Sequence, residues 1–176
     1  MFVKYKDVAR RLQRVDLDGM ISKREEMLSF FINVYNALVI HGTIEKGVPT
    51  NIWARYSFFS SIGYNIGGFK FTLNDIENGI LRGNRASMAT LYLRPFSPSV
   101  EKDPRVKFAL SNPVEARIHF ALNCGAKSCP PIKTFTAKVK LSRRSMVIFR
   151  SKEIFSQLPH PALKSSTQNM YLNCRI

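Results

Sequence analysis

The sequence predicts an α+β fold, a helix-rich single domain in which one buried helix packs on a small sheet. Three observations predict it. A long apolar stretch, "MLSFFINVYNALVIHG", has helical periodicity; two short runs flank a Gly-Gly pair in "YNIGGFKF"; and "EARIHFALNC" alternates like a half-buried strand. A chain of 176 residues buries roughly 70% of its unfolded surface, enough for a core without disulfide or metal staples.

Taken in order, Tyr5, Val8, Leu12 and Val15 fall at spacings of three and four and predict an amphipathic helix over residues 5–17. A turn at Asp18 and Gly19 follows. Ser22, with Glu25 three positions on, is expected to cap a long helix that ends at Gly42 or Gly47. Its polar residues Glu25, Glu26, Ser29, Asn33 and Asn36 project within about a 100° arc, one polar seam on an otherwise apolar helix. Short amides there suit a wet face, fixed bonds to neighbouring backbone, or the floor of a cleft.

"IWARYSFFSSIGY" reads as an aromatic helix, and Gly67 and Gly68 supply the positive φ of a tight hairpin. Thr72 and Asp75 box the start of a further helix that stops at Gly83. A polar, proline-bearing connection follows, then a short helical turn in "PRVKFAL". The strand expected over residues 117–124 would pack against the helix over residues 30–40. Strand alternation sends Ile118, Phe120, Leu122 and Cys124 one way and His119, Ala121 and Asn123 the other.

Charge and cysteines bound the function. The formal net charge is +15; residues 1–136 carry 19 basic and 11 acidic side chains, net +8, and residues 137–176 carry 8 and 1, net +7. Nearly half the excess thus lies in a basic C-terminal tail, where weak, non-specific polyanion binding is expected. In the main body the basic residues are scattered, with no helix-turn-helix, finger or RNP-like pattern. Three cysteines, Cys124, Cys129 and Cys174, are too sparse for a secreted disulfide framework and suit a reducing, cytoplasmic setting. Neither a signal-peptide core nor a run of eighteen apolar residues is present, so neither export nor a membrane span is expected.

"HFALNCGAKSCPP" concentrates the reactive side chains. A thiol is only slightly ionised at neutral pH, and a neighbouring imidazole raises the thiolate fraction while a third polar group fixes its tautomer. Candidates are Cys129 or Cys124 as nucleophile, His119 as base, and Asn33, Asn36 or Glu26 as orienting group. In a regular strand the α-carbons of His119 and Cys124 would lie about 16 Å apart, so the turn at Gly125 and Ala126 favours Cys129, returned to the His119 face. Cys-x4-Cys with one histidine gives at most three metal ligands, and His41 or Cys174 would have to add a fourth; no metal or cofactor is expected. The spacing also permits a Cys124–Cys129 disulfide.

"LSFFINVYNALVIHG", "IGGFKFTLNDIENGILRG", "DPRVKFAL" and "EARIHFALNCGAKSCPPI" together resemble the family known as domain of unknown function 547, across residues 5–136. The resemblance implies a globular domain that occurs alone in bacteria, behind a coiled coil in plants, and behind DEP and glutaredoxin-like domains in some animals. It implies no particular reaction. Two features depart from the family pattern: Asn78 stands in "IENG" where a histidine is usual, and residues 137–176 do not follow the expected helical continuation. The organisation read from this is a globular domain over residues 1–136 and an altered, poorly ordered basic tail over residues 137–176.

The first functional reading is a non-catalytic interaction module with protein partners, in which His119, Cys124 and Cys129 are packing and turn residues. The alternatives are a thiol-dependent acyl transfer or hydrolysis and a metal or redox site. The first alternative is similar in layout to papain-like and transglutaminase-like enzymes, with the order of nucleophile and base reversed.

Overall fold

The computed structural model describes residues 2–86, 93–111, 115–126 and 129–137. The expected tail over residues 137–176, with its apolar Val147, Ile148, Phe149, Ile154 and Phe155, lies outside them beyond residue 137. The described part is α+β and helix-rich, with one two-stranded antiparallel sheet.

Helix α1 (Phe2–Arg10) continues as a 3-10 turn, Arg11–Arg14. Helix α2 (Arg24–Lys46) is the central element and buries Met27, Phe31, Ile32, Val34, Tyr35, Leu38 and Val39. It begins without the expected Ser22 cap, because Lys23 occupies the cap position and makes no side-chain bond there. It ends at Gly47, whose φ of 79° turns the chain out of the helix. By length and composition α2 could cross a membrane, yet half of its apolar stretch is covered by the chain's own core.

Helix α3 (Ile52–Ser61) is capped by Asn51, whose side chain accepts the Ala54 N–H at 2.8 Å. Strands β1 (Gly63–Ile66) and β2 (Phe69–Thr72) pair with Tyr64 opposite Phe71 and Ile66 opposite Phe69. Gly67 and Gly68, at φ 55° and 85°, make the expected tight turn. Phe71 is fully buried and meets Phe31, Phe69, Phe96 and Phe108 at ring-centroid distances of 5.7 to 6.4 Å. Arg105 rivets this corner: it donates to the Lys70 carbonyl at 2.8 Å and to Asp75 and Asp103, and its guanidinium lies 4.6 Å above the Phe96 ring.

Thr72 and Asp75 form the expected reciprocal box, at 2.9 and 3.1 Å. The helix behind it is wound wider than expected. Asp75–Leu81 is π-helical, with bonds five residues long such as Arg82 N–H to the Glu77 carbonyl at 3.0 Å. The short turn in "PRVKFAL" forms a 3-10 helix, Pro104–Phe108.

The strand expected over residues 117–124 is absent. Ala116–Phe120 is a 3-10 helix, and Ile118, Ala121 and Leu122 are buried while His119 and Phe120 are exposed. Burial therefore repeats every three to four residues, and the alternation that predicted a strand was a short-run coincidence of period. The segment still packs on α2, as expected, but through side-chain amides and without a sheet.

Candidate functional site

The polar seam of α2 is neither a wet face throughout nor the floor of a cleft. Asn36, buried, donates from Nδ2 to the Ala121 carbonyl and accepts the Asn123 N–H at Oδ1, both at 2.9 Å. One turn earlier, Asn33 does the same to a single residue: its Nδ2 donates to the Phe135 carbonyl at 2.7 Å, and its Oδ1 accepts the Phe135 N–H at 2.9 Å. Each amide thus offers irregular backbone the donor–acceptor pair that a neighbouring strand would supply. Asn84 repeats the device on the far side, pairing both backbone groups of Phe96 at 2.9 and 3.0 Å.

Within the segment held by Asn36, the Asn123 side chain folds the chain back. Its Oδ1 accepts the Gly125 N–H at 2.9 Å and its Nδ2 donates to the Pro130 carbonyl at 2.8 Å. The reversal brings Cys129 to Cys124, with the two sulfurs 3.3 Å apart and the Cys124 N–H donating to Cys129 Sγ at 3.3 Å. Both thiols are free and partly buried.

The pair is electrostatically asymmetric. The Cys124 thiol is lowered to about 6, first by the hydrogen bond from Cys129 and, against desolvation, by the Arg55 guanidinium and the Ala126 amide. Arg55 reaches across from α3 and donates to the Cys124 carbonyl at 3.3 Å. Cys129 is raised well above the thiol range, because its proton is held in the bond to Cys124 and burial opposes its charge. The two sulfurs therefore titrate as a pair that shares a proton, with the first charge drawn toward Cys124.

A second chain of polar groups adjoins the first. Tyr35, fully buried on α2, donates to Glu77 Oε2 at 2.8 Å, and Arg82 donates to Glu77 Oε1 at 2.7 Å. Burial and then the Glu77 charge raise Tyr35, and Cys124 adds to the same effect. Arg82 Nη2 also lies 3.3 Å from His119 Nδ1. A guanidinium only donates, so this contact is a hydrogen bond in the tautomer that leaves Nδ1 free to accept. Desolvation on its inner side and the Arg82 charge lower His119. Arg82 Nε is buried with no partner.

The expected grouping is therefore assembled in part. Cys129 and Cys124 come together, whereas His119 faces Arg82 and bonds neither sulfur. The turn returns Cys129 to Cys124 and not to the imidazole, because the reversal is set by Asn123 and no strand alternation operates. Asn33 and Asn36 grip backbone and do not orient the imidazole. Glu26 is exposed near the start of α2 and pairs with Lys23 at 3.6 Å. His41 bonds the Tyr64 hydroxyl at 2.8 Å, away from the thiols, and Cys174 lies outside the described residues. Among the described residues no group of three or more His, Cys, Asp or Glu side chains is arranged to hold a metal. Asn78, at the departure in "IENG", is buried and donates to Asn74 at 2.8 Å.

Sequence reasoning missed Asn123, Arg55, Tyr35, Glu77 and Arg82. Tyr35 carried a usable signal, since a hydroxyl on the apolar face of a buried helix needs a partner. Asn123 carried another: an asparagine two residues before a glycine is a candidate side-chain turn.

A family model described as "Protein of unknown function, DUF547" matches residues 20–142, more than half of the chain. No curated protein and no solved structure matches.

Proposed function

This chain belongs to the DUF547 family, and on that premise we propose that it is a redox-responsive dithiol module of the cytoplasm. Cys124 is its attacking thiolate and Cys129 its resolving thiol. The observation that carries this reading is the 3.3 Å contact between two free, partly buried sulfurs. The lowered Cys124 thiol supports the division of roles.

The oxidant is a small disulfide of the glutathione class. The Cys124 thiolate attacks one of its sulfurs, a mixed disulfide forms, and the first small thiolate leaves with the bonding pair and takes up a proton. Cys129 then gives its proton to water and attacks Cys124 Sγ, expelling the second small thiolate. Two protein thiols are oxidised by two electrons to one disulfide, and the small disulfide is reduced to two thiols. Equilibration in graded glutathione buffers, followed by alkylation and mass analysis, tests the reading. An intramolecular 124–129 disulfide is expected; thiols that stay reduced in every buffer until the chain unfolds would sink it.

The charge of residues 137–176, 8 basic against 1 acidic, supports a second reading, an interaction module that takes polyanions weakly and without sequence preference. Reversing Arg143, Arg144 and Arg150 to Glu should abolish heparin retention at low salt. Unchanged retention would assign the binding to the main body.

A further inference from the structure

We infer that Asn123 is the positioning residue of the thiol pair, its side-chain amide holding the 124–129 loop closed while both cysteines are reduced. This inference rests on the dithiol reading and names what sets its redox poise. Asn123 touches neither sulfur by its side chain. It ties the Gly125 N–H, just past Cys124, to the Pro130 carbonyl, just past Cys129. The two ends of the loop are thereby joined through one planar group.

The aim of that group is set elsewhere. Asn36, on the core helix, accepts the Asn123 N–H and donates to the Ala121 carbonyl, so the Asn123 backbone is fixed from a rigid element. Within the loop the Cys129 N–H donates to the Ala126 carbonyl at 3.0 Å, which completes the turn. Sulfurs at 3.3 Å have to approach by only about 1.3 Å to reach the disulfide length of about 2.0 Å. Much of the chain entropy that closing such a ring costs is therefore already lost in the reduced protein. Pre-closure of this kind favours the disulfide over two separate thiols.

Removing the Asn123 amide takes away both hydrogen bonds by which it holds the ends of the loop together in the reduced protein. The equilibrium constant for disulfide formation should then fall about tenfold, a rise in reduction potential of about 30 mV for a two-electron couple. The experiment compares wild type, Asn123→Ala and Asn33→Ala in the same glutathione series at pH 7. Asn33 makes an equivalent clamp on Phe135, so its loss loosens the fold without touching the thiol loop. The expected result is a tenfold shift of the midpoint in Asn123→Ala and none in Asn33→Ala. Equal midpoints in wild type and Asn123→Ala would overturn the inference, and so would equal shifts in both variants. A wild type that forms no disulfide at all is a different result, and it fells the dithiol reading itself. Should Asn123→Ala not fold, hydrogen exchange of the Asn123 side-chain amide in reduced wild type decides: slowed exchange supports the staple, and exchange at the free-amide rate overturns it.

Discussion

The hairpin corner and the thiol segment are built on opposite plans. In the corner, β1 and β2 satisfy each other's backbone, and the rings around Phe71 add apolar burial on top. Among the described residues, those of 115–126 and 129–137 have no such neighbour. Their polar backbone is held at Ala121, Asn123 and Phe135 by two asparagines on one helix. The first plan spreads stability over many contacts around one fully buried ring. The second concentrates it in a few amides, so a single substitution at Asn36, which holds Ala121 and Asn123, should disturb the thiol site long before it unfolds the molecule.

Breaking the corner should give the largest loss. Phe71→Ala removes a fully buried ring and should cost about 3–5 kcal/mol in denaturant unfolding. Cys124 alkylation should change only in proportion to the unfolded fraction. Next comes Asn36→Ala, which orphans one buried donor and one buried acceptor and should cost about 2–4 kcal/mol. Unlike Phe71→Ala, it should move Cys124 reactivity in protein that is still folded. If both variants alter the thiol only through unfolding, the contrast between the two plans is wrong.

The pH dependence sharpens the contrast within the segment. Iodoacetamide alkylation of Cys124 should follow a midpoint near 6 in the wild type and shift upward, toward the ordinary thiol value of about 8.5, in Cys129→Ala. The linked stability follows with its sign. Cys124 is depressed in the fold, so its contribution is complete above about 8.5 and fades as pH falls through about 6. Cys129 is raised in the fold, so its contribution is complete below about 8.5 and declines at higher pH. The smallest effect belongs to His119→Ala. Its imidazole bonds Arg82 and neither sulfur, so the Cys124 midpoint should stay in place; a clear rise would restore the imidazole as the base of the thiol.

How far the sequence could be read follows the same division. The central helix, its stop at one of two glycines, Gly42 or Gly47, the Gly67–Gly68 turn and the Thr72–Asp75 box were legible, because each depends on neighbours in the chain. The strand over residues 117–124 was misread because six or seven apolar-rich residues fit a period of two and a period of three to four almost equally well. Cys124 and Cys129 were legible as candidates by residue type, and their pairing was one of several arrangements the spacing left open; the Asn123 turn, fixed from afar by Asn36, is what singles it out. The surroundings of His119 were not legible for a related reason: its Nδ1 lies 3.3 Å from Arg82, which also donates to Glu77, and both are distant from it in the chain. Asn33 and Asn36 were singled out by the seam they form, and fixed bonds to neighbouring backbone were among the roles considered for them.

Helix α2 also imposes an order on synthesis. Residues 27–44 contain no charged side chain, and the helix that carries them is long and apolar enough to cross a bilayer. The hairpin that covers it and the Phe135 backbone that occupies Asn33 both emerge later. At translation speeds of about 5–20 residues per second, the gap from residue 44 to residue 135 lasts about 5–20 s. During that interval the nascent chain displays, uncovered, a segment with the length and polarity that insertion machinery reads. The burial of α2 is therefore a late step that waits on both of these downstream partners.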